Sequence, residues 1–349
     1  MNKQNPEITI RDKKIGADHS PYFVAELGTC HQGSLEKAIQ FAQAAASAGA
    51  DCIKTELFSE NEVFDPSARK TFSIRGKDYS VPLIDHMRAT QLTLEEHHQV
   101  KLECDRLDLP FMATAHDFER VDFLVKIGAE AVKIASPDII HFPLIRYAAR
   151  SALALFLDTG GAYEHEVEEA VKIAREAGCQ RLVVNHNPSG HPAPPEGQDL
   201  KIIPRLSELL GCPVGLSDHY DGYEMTYAAT AIGASVIEKP ITNDRFLEAV
   251  EHIWAIDLKD LKTVISNIKA VHTALGKSNR GEKGKRPESP HRVALVAARD
   301  LKSGDVLSLD TIGFGKPRLG IGVEHWDKVE GQTLKRSLKK GEFVRWEDI

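Results

Sequence analysis

From Tyr22 to about Leu275 the chain repeats one pattern eight times: a short, continuously apolar run, then a longer run with apolar residues at three- and four-residue steps. The short runs are YFVAELG, CIKTELF, PFMATA, AVKIAS, ALFLDTG, RLVVNH, PVGLSDH and VIEKPIT. Continuous apolar runs predict strands buried on both faces, as in a parallel sheet covered by helices. The spaced runs, such as SLEKAIQFAQAAASAGA and EHEVEEAVKIAREAG, predict amphipathic helices. Glycines close several of them, as in SAGAD, KIGAE, REAGC and AIGAS. Eight strand–helix units predict an α/β fold of the closed (β/α)8 TIM-barrel type. An open doubly wound sheet is the alternative, but it usually carries a Gly-rich first turn that this chain lacks.

The flanks differ from the repeat. EITIRDKKIG, within residues 1–21, reads as a small hairpin able to plug the bottom of a barrel spanning 22–276. The second strand–helix connection, Ser59 to Gln91, is long and polar, which suits an insertion over an active site. GKSNRGEKGKRPESPHR has no periodicity and predicts a linker over 277–292. In 293–349 the runs RVALVAA and EFVRW read as strands, and KSGD and KKGE as turns, giving a small β-rich module. At about 60 residues it is too small for a large core, so it is expected to fold against a neighbouring surface.

Composition narrows the class. Of 349 residues, 42% are hydrophobic and 27% charged, as in a globular protein. No run of about 18 apolar residues is present, which argues against a membrane partner. MNKQNPEITIRDKK lacks the apolar core of a secretory signal, and the five cysteines (Cys30, Cys52, Cys104, Cys179, Cys212) are scattered. Reduced thiols and a cytoplasmic location are the expectation. Residues 279–349 hold 15 basic and 11 acidic side chains, net +4, against net −11 for the rest. A nucleic-acid binder would show a stronger, clustered basic field.

Candidate chemistry sits where barrel strands end, because those residues face the catalytic mouth. In order they are Glu26, Lys54 with Glu56, Thr114, Lys133 with Ser136 and Asp138, Asp158, Asn187, Ser217 with His219, and Glu238 with Lys239. Lysines, hydroxyls and an amide suit a phosphorylated ligand, whose charge the ammonium groups offset. His219 and the carboxylates suit proton transfer or a divalent metal.

KIASPDI, GLSDH and the frame of VIEKPIT resemble the sialic acid synthase family, of the N-acetylneuraminate synthase and spore coat polysaccharide biosynthesis protein E type. AELGTCHQGSLEKAIQFAQAAASAGAD resembles that family's opening strand and helix. RVALVAARDLKSGDVLSLDTIGFGKPRLGIG resembles its antifreeze-like SAF domain. The resemblance implies condensation of phosphoenolpyruvate (PEP) with the aldehyde of an N-acyl sugar, yielding a 3-deoxy-2-keto nonulosonic acid for surface polysaccharide. It implies PEP-binding roles for Lys54, Thr114, Lys133, Ser136, Asn187 and Ser217, with Ser189 the alternative to Asn187. It implies catalytic roles for Glu26, Glu56, Asp138 and His219. Glu251, Lys316 and Arg318 would serve the acceptor, the last two from the SAF domain of the other subunit in a domain-swapped homodimer.

The same comparison shows departures. Pro240 stands where the family has a second metal-binding histidine, so a Mn or Mg ion would rest on His219, supplemented by Glu251 or His252. Asp138 stands for a glutamate, Glu56 for a glutamine, Glu251 for an aspartate and Cys30 for an asparagine. Asp158 stands for a phosphate-contacting serine, and a carboxylate there repels phosphate unless a cation or proton intervenes. Asp218 reads as an orienting or structural carboxylate. Two other functions stay open: a Schiff-base aldolase using Lys133, and a relative that binds PEP or a sugar without turnover.

Overall fold

The structure, a computed structural model, describes residues 5–58, 63–74, 76–276, 289 and 291–349. Residues 59–62, which open the expected insertion, and most of the expected 277–292 linker lie outside the described residues. The chain divides into two compact units, Met1–Gly276 and Lys277–Ile349.

The first unit begins with strands β1 (Glu7–Ile10) and β2 (Lys13–Gly16), an antiparallel hairpin. Strands β3 (Tyr22–Glu26) and β4 (Cys52–Leu57) follow, then a second antiparallel hairpin, β5 (Arg69–Ile74) and β6 (Lys77–Pro82), which the insertion supplies. Six further strands complete the sheet: β7 (Phe111–Ala115), β8 (Ala131–Ile134), β9 (Ala154–Asp158), β10 (Leu182–His186), β11 (Val214–Ser217) and β12 (Val236–Thr242). Neighbouring strands pair in parallel and β12 returns to β3, so the eight strands read from the apolar runs close into a barrel.

Local chemistry explains the helices between them. In α1 (Leu35–Ala48) the Ser34 side chain accepts from the Lys37 N–H, and Gly49, at φ +87°, donates back to Ala45 and Ala46. That left-handed turn costs a residue with a Cβ about 1–2 kcal/mol, which is why glycine ends the helix. Ala38, Phe41, Ala42 and Ala45 form its buried face against the barrel.

The hairpin closes the lower end of the barrel. Ile8, Ile10 and Ile15 pack with Tyr22, Val24, Met112 and Phe156, residues of the strands' inner layer. Burying each such side chain contributes about 1.5–3 kcal/mol. Truncating Ile10 to Ala would cost about 2–5 kcal/mol through the cavity it leaves.

In the second unit β14 (Ala294–Ala297) pairs antiparallel with β15 (Ile312–Gly315), after a two-residue strand β13 (Ile256–Asp257) in the barrel unit. EFVRW contributes only an isolated bridge, Val296 with Phe343, and is not a strand. The module also has a core of its own, with Leu295, Leu307, Ile312, Leu334, Leu338 and Val344 buried together. Short strands and bridges curl these apolar residues inward into a small core.

Candidate active site

Strand register assembles the site. Glu26 on β3 lies beside Lys54 on β4, Glu56 beside Thr114 on β7, and Thr114 beside Lys133 on β8. Ser217 on β11 lies beside Glu238 on β12, and Pro240 beside Glu26 across the closure. Inward-facing positions of these adjacent strands line a cavity of about 460 Å³ at the C-terminal end of the barrel. Glu26, Lys54, Glu56, Lys133, Ser136, Asp158, Asn187, His219 and Glu251 all reach it, as does Ser189. Thr114 and Ser217 are buried in the strand layer, where Ser217 Oγ donates to Glu238 Oε1 at 3.3 Å.

Charge dominates the floor. Lys54 contacts Glu26 and lies 3.2 Å from Glu238 Oε1 and 3.3 Å from Glu56 Oε1. Lys133 contacts the same Glu238 oxygen and lies 2.6 Å from Asp158 Oδ2, to which Asn187 Nδ2 also donates at 2.7 Å. Two ammonium groups thus face four carboxylates. Burial pushes Glu238 up, but Lys133 and Lys54 outweigh it and hold that carboxyl down to about 2. Burial raises Glu26 well above the carboxylate range and raises Asp158, in each case against a neighbouring lysine. For both lysines burial works against the charge, yet the carboxylates win and raise them above the usual ammonium value. Such lysines stay charged, opposite to what a Schiff-base nucleophile needs. Lys133 is also the cation that makes a carboxylate at position 158 tolerable.

Close approach on one wall depends on Gly160. Its N–H donates to Ser136 Oγ at 2.9 Å. A Cβ at 160 would stand 2.8 Å from that oxygen and 3.3 Å from Asn187 Cβ. Thr159 N donates to Asn187 Oδ1 at 3.3 Å, so the amide is held at both ends. Thr114 Oγ1, Asp158 Oδ1 and Glu238 Oε2 are buried polar atoms with no hydrogen-bond partner among the described residues. Groups of this kind are where a bound ligand is expected.

The upper walls carry histidines and one more carboxylate. Glu251, at φ +74°, accepts from Thr29 Oγ1 at 2.9 Å and Thr29 N at 2.5 Å. Burial, with Glu56 nearby, raises its pKa against those two hydrogen bonds. His219 packs against His191 with ring centroids 4.8 Å apart, and Trp254 meets both rings. Burial, reinforced by His191 and Lys133, holds His219 well below the usual imidazole value. Asp138 accepts from His116 Nδ1 at 2.7 Å. Asp218 pairs with buried Lys239 at 3.0 Å and so has a structural role.

His252 does not line the cavity. His252 is buried with Nδ1 on Thr242 Oγ1 at 2.7 Å and Nε2 3.4 Å from Gln32. In the second unit Arg318 pairs with Glu324 at 2.6 Å and Lys316 belongs to the turn before it. The donors do not fit the divalent metal that the resemblance implies. Position 240 offers no ligand atom, Glu251 is engaged by Thr29, and His252 faces Thr242; the described residues hold no cluster of three or more His, Cys, Asp or Glu able to hold a metal.

Sequence reasoning misses His116, His191, Lys70 and Phe58, which line the cavity, and names Glu238 only as one of several strand-end carboxylates. His116 carried a signal, two residues past Thr114 at a strand end and so on its side by the strand period. His191 in a Pro-rich loop and Lys70 in the insertion carried none.

The comparisons fit this geometry. Residues 41–280 match the NeuB family and residues 292–349 the SAF domain. The barrel with its strand-end lysines and carboxylates is thus of a known class, and the chain belongs to the NeuB family. N,N'-diacetyllegionaminic acid synthase from Campylobacter jejuni is 28% identical over 92% of this chain and 98% of its own length. Spore coat polysaccharide biosynthesis protein SpsE from Bacillus subtilis is 32% identical over 76% of this chain and 71% of its own. The crystal structure of N-acetylneuraminic acid (sialic acid) synthetase from Leptospira borgpetersenii, in complex with citrate, matches with a TM-score of 0.71 at 27% identity, covering 81% of this chain and 95% of that one. No helix among the described residues is long and apolar enough to cross a membrane.

Proposed function

We propose that this protein condenses PEP with the aldehyde of an open-chain N-acyl sugar, forming a 3-deoxy-2-keto nonulosonic acid and releasing phosphate. The observation that carries the reading is the convergence of Lys54 and Lys133, bridged by Glu238, on one cavity at the mouth of a NeuB-family barrel. Both lysines are held charged, and Ser136 and Asn187 sit beside them as short hydrogen-bonding groups for an anion. PEP C3 attacks the aldehyde carbon, water adds at C2, and the tetrahedral intermediate loses phosphate. Glu26, Glu56 and His219 are the proton-handling groups at the cavity, Asp138 acts through His116, and Glu251 serves the acceptor side.

Calorimetry with PEP tests the reading: binding that competes with inorganic phosphate supports it, and no binding removes it. Borohydride with pyruvate should trap no adduct on Lys133. We assign Lys316, with Arg318, to the acceptor end of a partner's barrel in a domain-swapped homodimer. Mixing a Lys133→Met subunit with one lacking residues 285–349 should restore activity; heterodimers without recovery contradict that assignment.

A further inference from the structure

Asp138 ends the 3-10 turn Ser136–Asp138 that follows β8. Ser136 and Pro137 of that turn line the cavity, and so does His116 at the end of β7, but the Asp138 side chain does not. Its carboxylate is occupied instead. Oδ2 takes His116 Nδ1 at 2.7 Å, and Oδ1 stands 3.5 Å from His141 Nδ1. On the other side Phe58 lies nearly parallel to the His116 ring, with centroids 5.9 Å apart and planes 12° from parallel. The imidazole is therefore fixed in plane by a ring and in rotation by a carboxylate. A carboxylate on Nδ1–H also selects the tautomer that leaves Nε2 to exchange protons.

We infer that His116 is the group that moves the water proton in the condensation proposed above, and that Asp138 is its positioning residue. The inference rests on that reading for the identity of the reaction, not for the existence of the pair. Proton accounting closes without an added reagent. As C3 of PEP bonds to the aldehyde carbon, the aldehyde oxygen becomes an alkoxide. Water oxygen bonds to C2 and one of its protons passes to His116 Nε2. The second leaves with the phosphate group when the C2–O bond to phosphorus breaks and C2 becomes a ketone. His116 then gives its proton to the alkoxide, which ends as a hydroxyl. Asp138 Oδ2 keeps its hydrogen bond from Nδ1–H throughout and stabilises the transient imidazolium.

Among the described residues, the charged groups facing His116 include Asp138 and, through it, His141 from the turn after β8, and Glu56 from β4, whose carboxylate feels His116 directly. Replacing Asp138 by Asn removes a counter-charge from the imidazolium and lowers the pH at which His116 protonates. A merely structural Asp138 would leave that pH unmoved.

The test uses the full chain in three forms: wild type, His116→Gln and Asp138→Asn. Phosphate release from PEP with 2-acetamido-2-deoxymannose is followed from pH 5 to 9, and PEP affinity is measured by calorimetry. His116→Gln should lower kcat by about 10²–10⁴-fold with PEP affinity within about twofold of wild type, and the acid limb of the kcat profile should vanish. Asp138→Asn should lower kcat less and move the acid limb down by about one pH unit. A His116→Gln enzyme within about threefold of wild type, or an acid limb that Asp138→Asn leaves in place, overturns the inference. So does an active His116→Gln beside an inactive Asp138→Asn, which would make Asp138 itself the proton carrier. Should wild type release no phosphate with any of a panel of N-acyl aldoses, the condensation reading falls, and ¹⁵N spectra of the histidines decide the pair separately. An Nδ1–H tautomer for His116 with a pKa that drops in Asp138→Asn sustains it; no drop overturns it.

Discussion

Lys133 Nζ stands 2.6 Å from Asp158 Oδ2 while also contacting Glu238, so the ammonium proposed to meet phosphate is already shared by two buried carboxylates. Asp158 competes with the ligand for that charge and repels it. Asp158→Asn keeps the shape and removes the competition. PEP affinity at pH 8 should then rise several-fold, with a smaller gain at pH 5.5 where wild-type Asp158 is closer to neutral. Calorimetry at both pH values checks this, and weaker binding at pH 8 would mean that Asp158 chiefly positions Lys133.

Removing the lysine has the opposite effect. One charge-assisted hydrogen bond is worth about 1.5–3 kcal/mol, so Lys133→Met should weaken PEP binding by about tenfold or more. It should also destabilise the fold by about 3–5 kcal/mol at neutral pH, since Asp158 and Glu238 lose their shared counter-ion. The pH sign follows from Asp158, whose folded-state pKa is raised by burial even with Lys133 present. Such a group binds protons more readily folded than unfolded, so the loss should shrink as pH falls from 8 toward 5. Denaturant unfolding of both proteins measures it; a loss that grows on acidification would contradict the account.

PEP binding should take up protons. Two ammonium groups already face Glu26, Glu56, Asp158 and Glu238, and burial raises Glu26 and Asp158. An anion beside them raises both further, so they protonate on binding and affinity falls as pH rises from 6 to 8.5. Calorimetry at pH 7.5 in two buffers of different ionisation enthalpy should show net uptake. Zero exchange or release would show that the carboxylates stay ionised around the ligand.

How much of this was readable beforehand differs by layer. The barrel was legible because strand burial and helix period are local, and each of the eight apolar runs became a strand. Lys54, Lys133, Glu26 and Asp158 were legible because a strand end fixes where a side chain points. Contacts across elements were not. Nothing in the spacing of His116 and Asp138, or of His191 and His219, shows that they meet at 2.7 Å and at 4.8 Å between rings. Those distances depend on how two turns leave the barrel. Nor did the loose run of short apolar stretches after Val293 reveal that Leu295, Leu307 and Leu338 close a core, because isolated bridges leave no period.

Position 240 should control metal affinity. Pro240 lies beside Glu26 in the β3–β12 register and offers no ligand atom. Manganese binding by the wild type should therefore be weak, and Pro240→His should strengthen it in a manner abolished by His219→Ala, since imidazole suits such ions better than carboxylate or water. Titration of manganese followed by its paramagnetic resonance signal measures this. Tight binding by the wild type that survives His219→Ala would contradict the reading of the donors.

The most direct test follows carbon and phosphate together. PEP labelled with ¹³C at all three carbons is incubated with the full chain and a panel of N-acyl and non-acylated aldoses, and phosphate and products are measured by colorimetry and mass spectrometry. With at least one N-acyl aldose, phosphate should appear only when acceptor is present, matched one to one by a keto acid carrying all three labelled carbons joined to the intact acceptor. Bound PEP with no labelled product across the panel, or phosphate released without any new carbon–carbon bond, would contradict condensation.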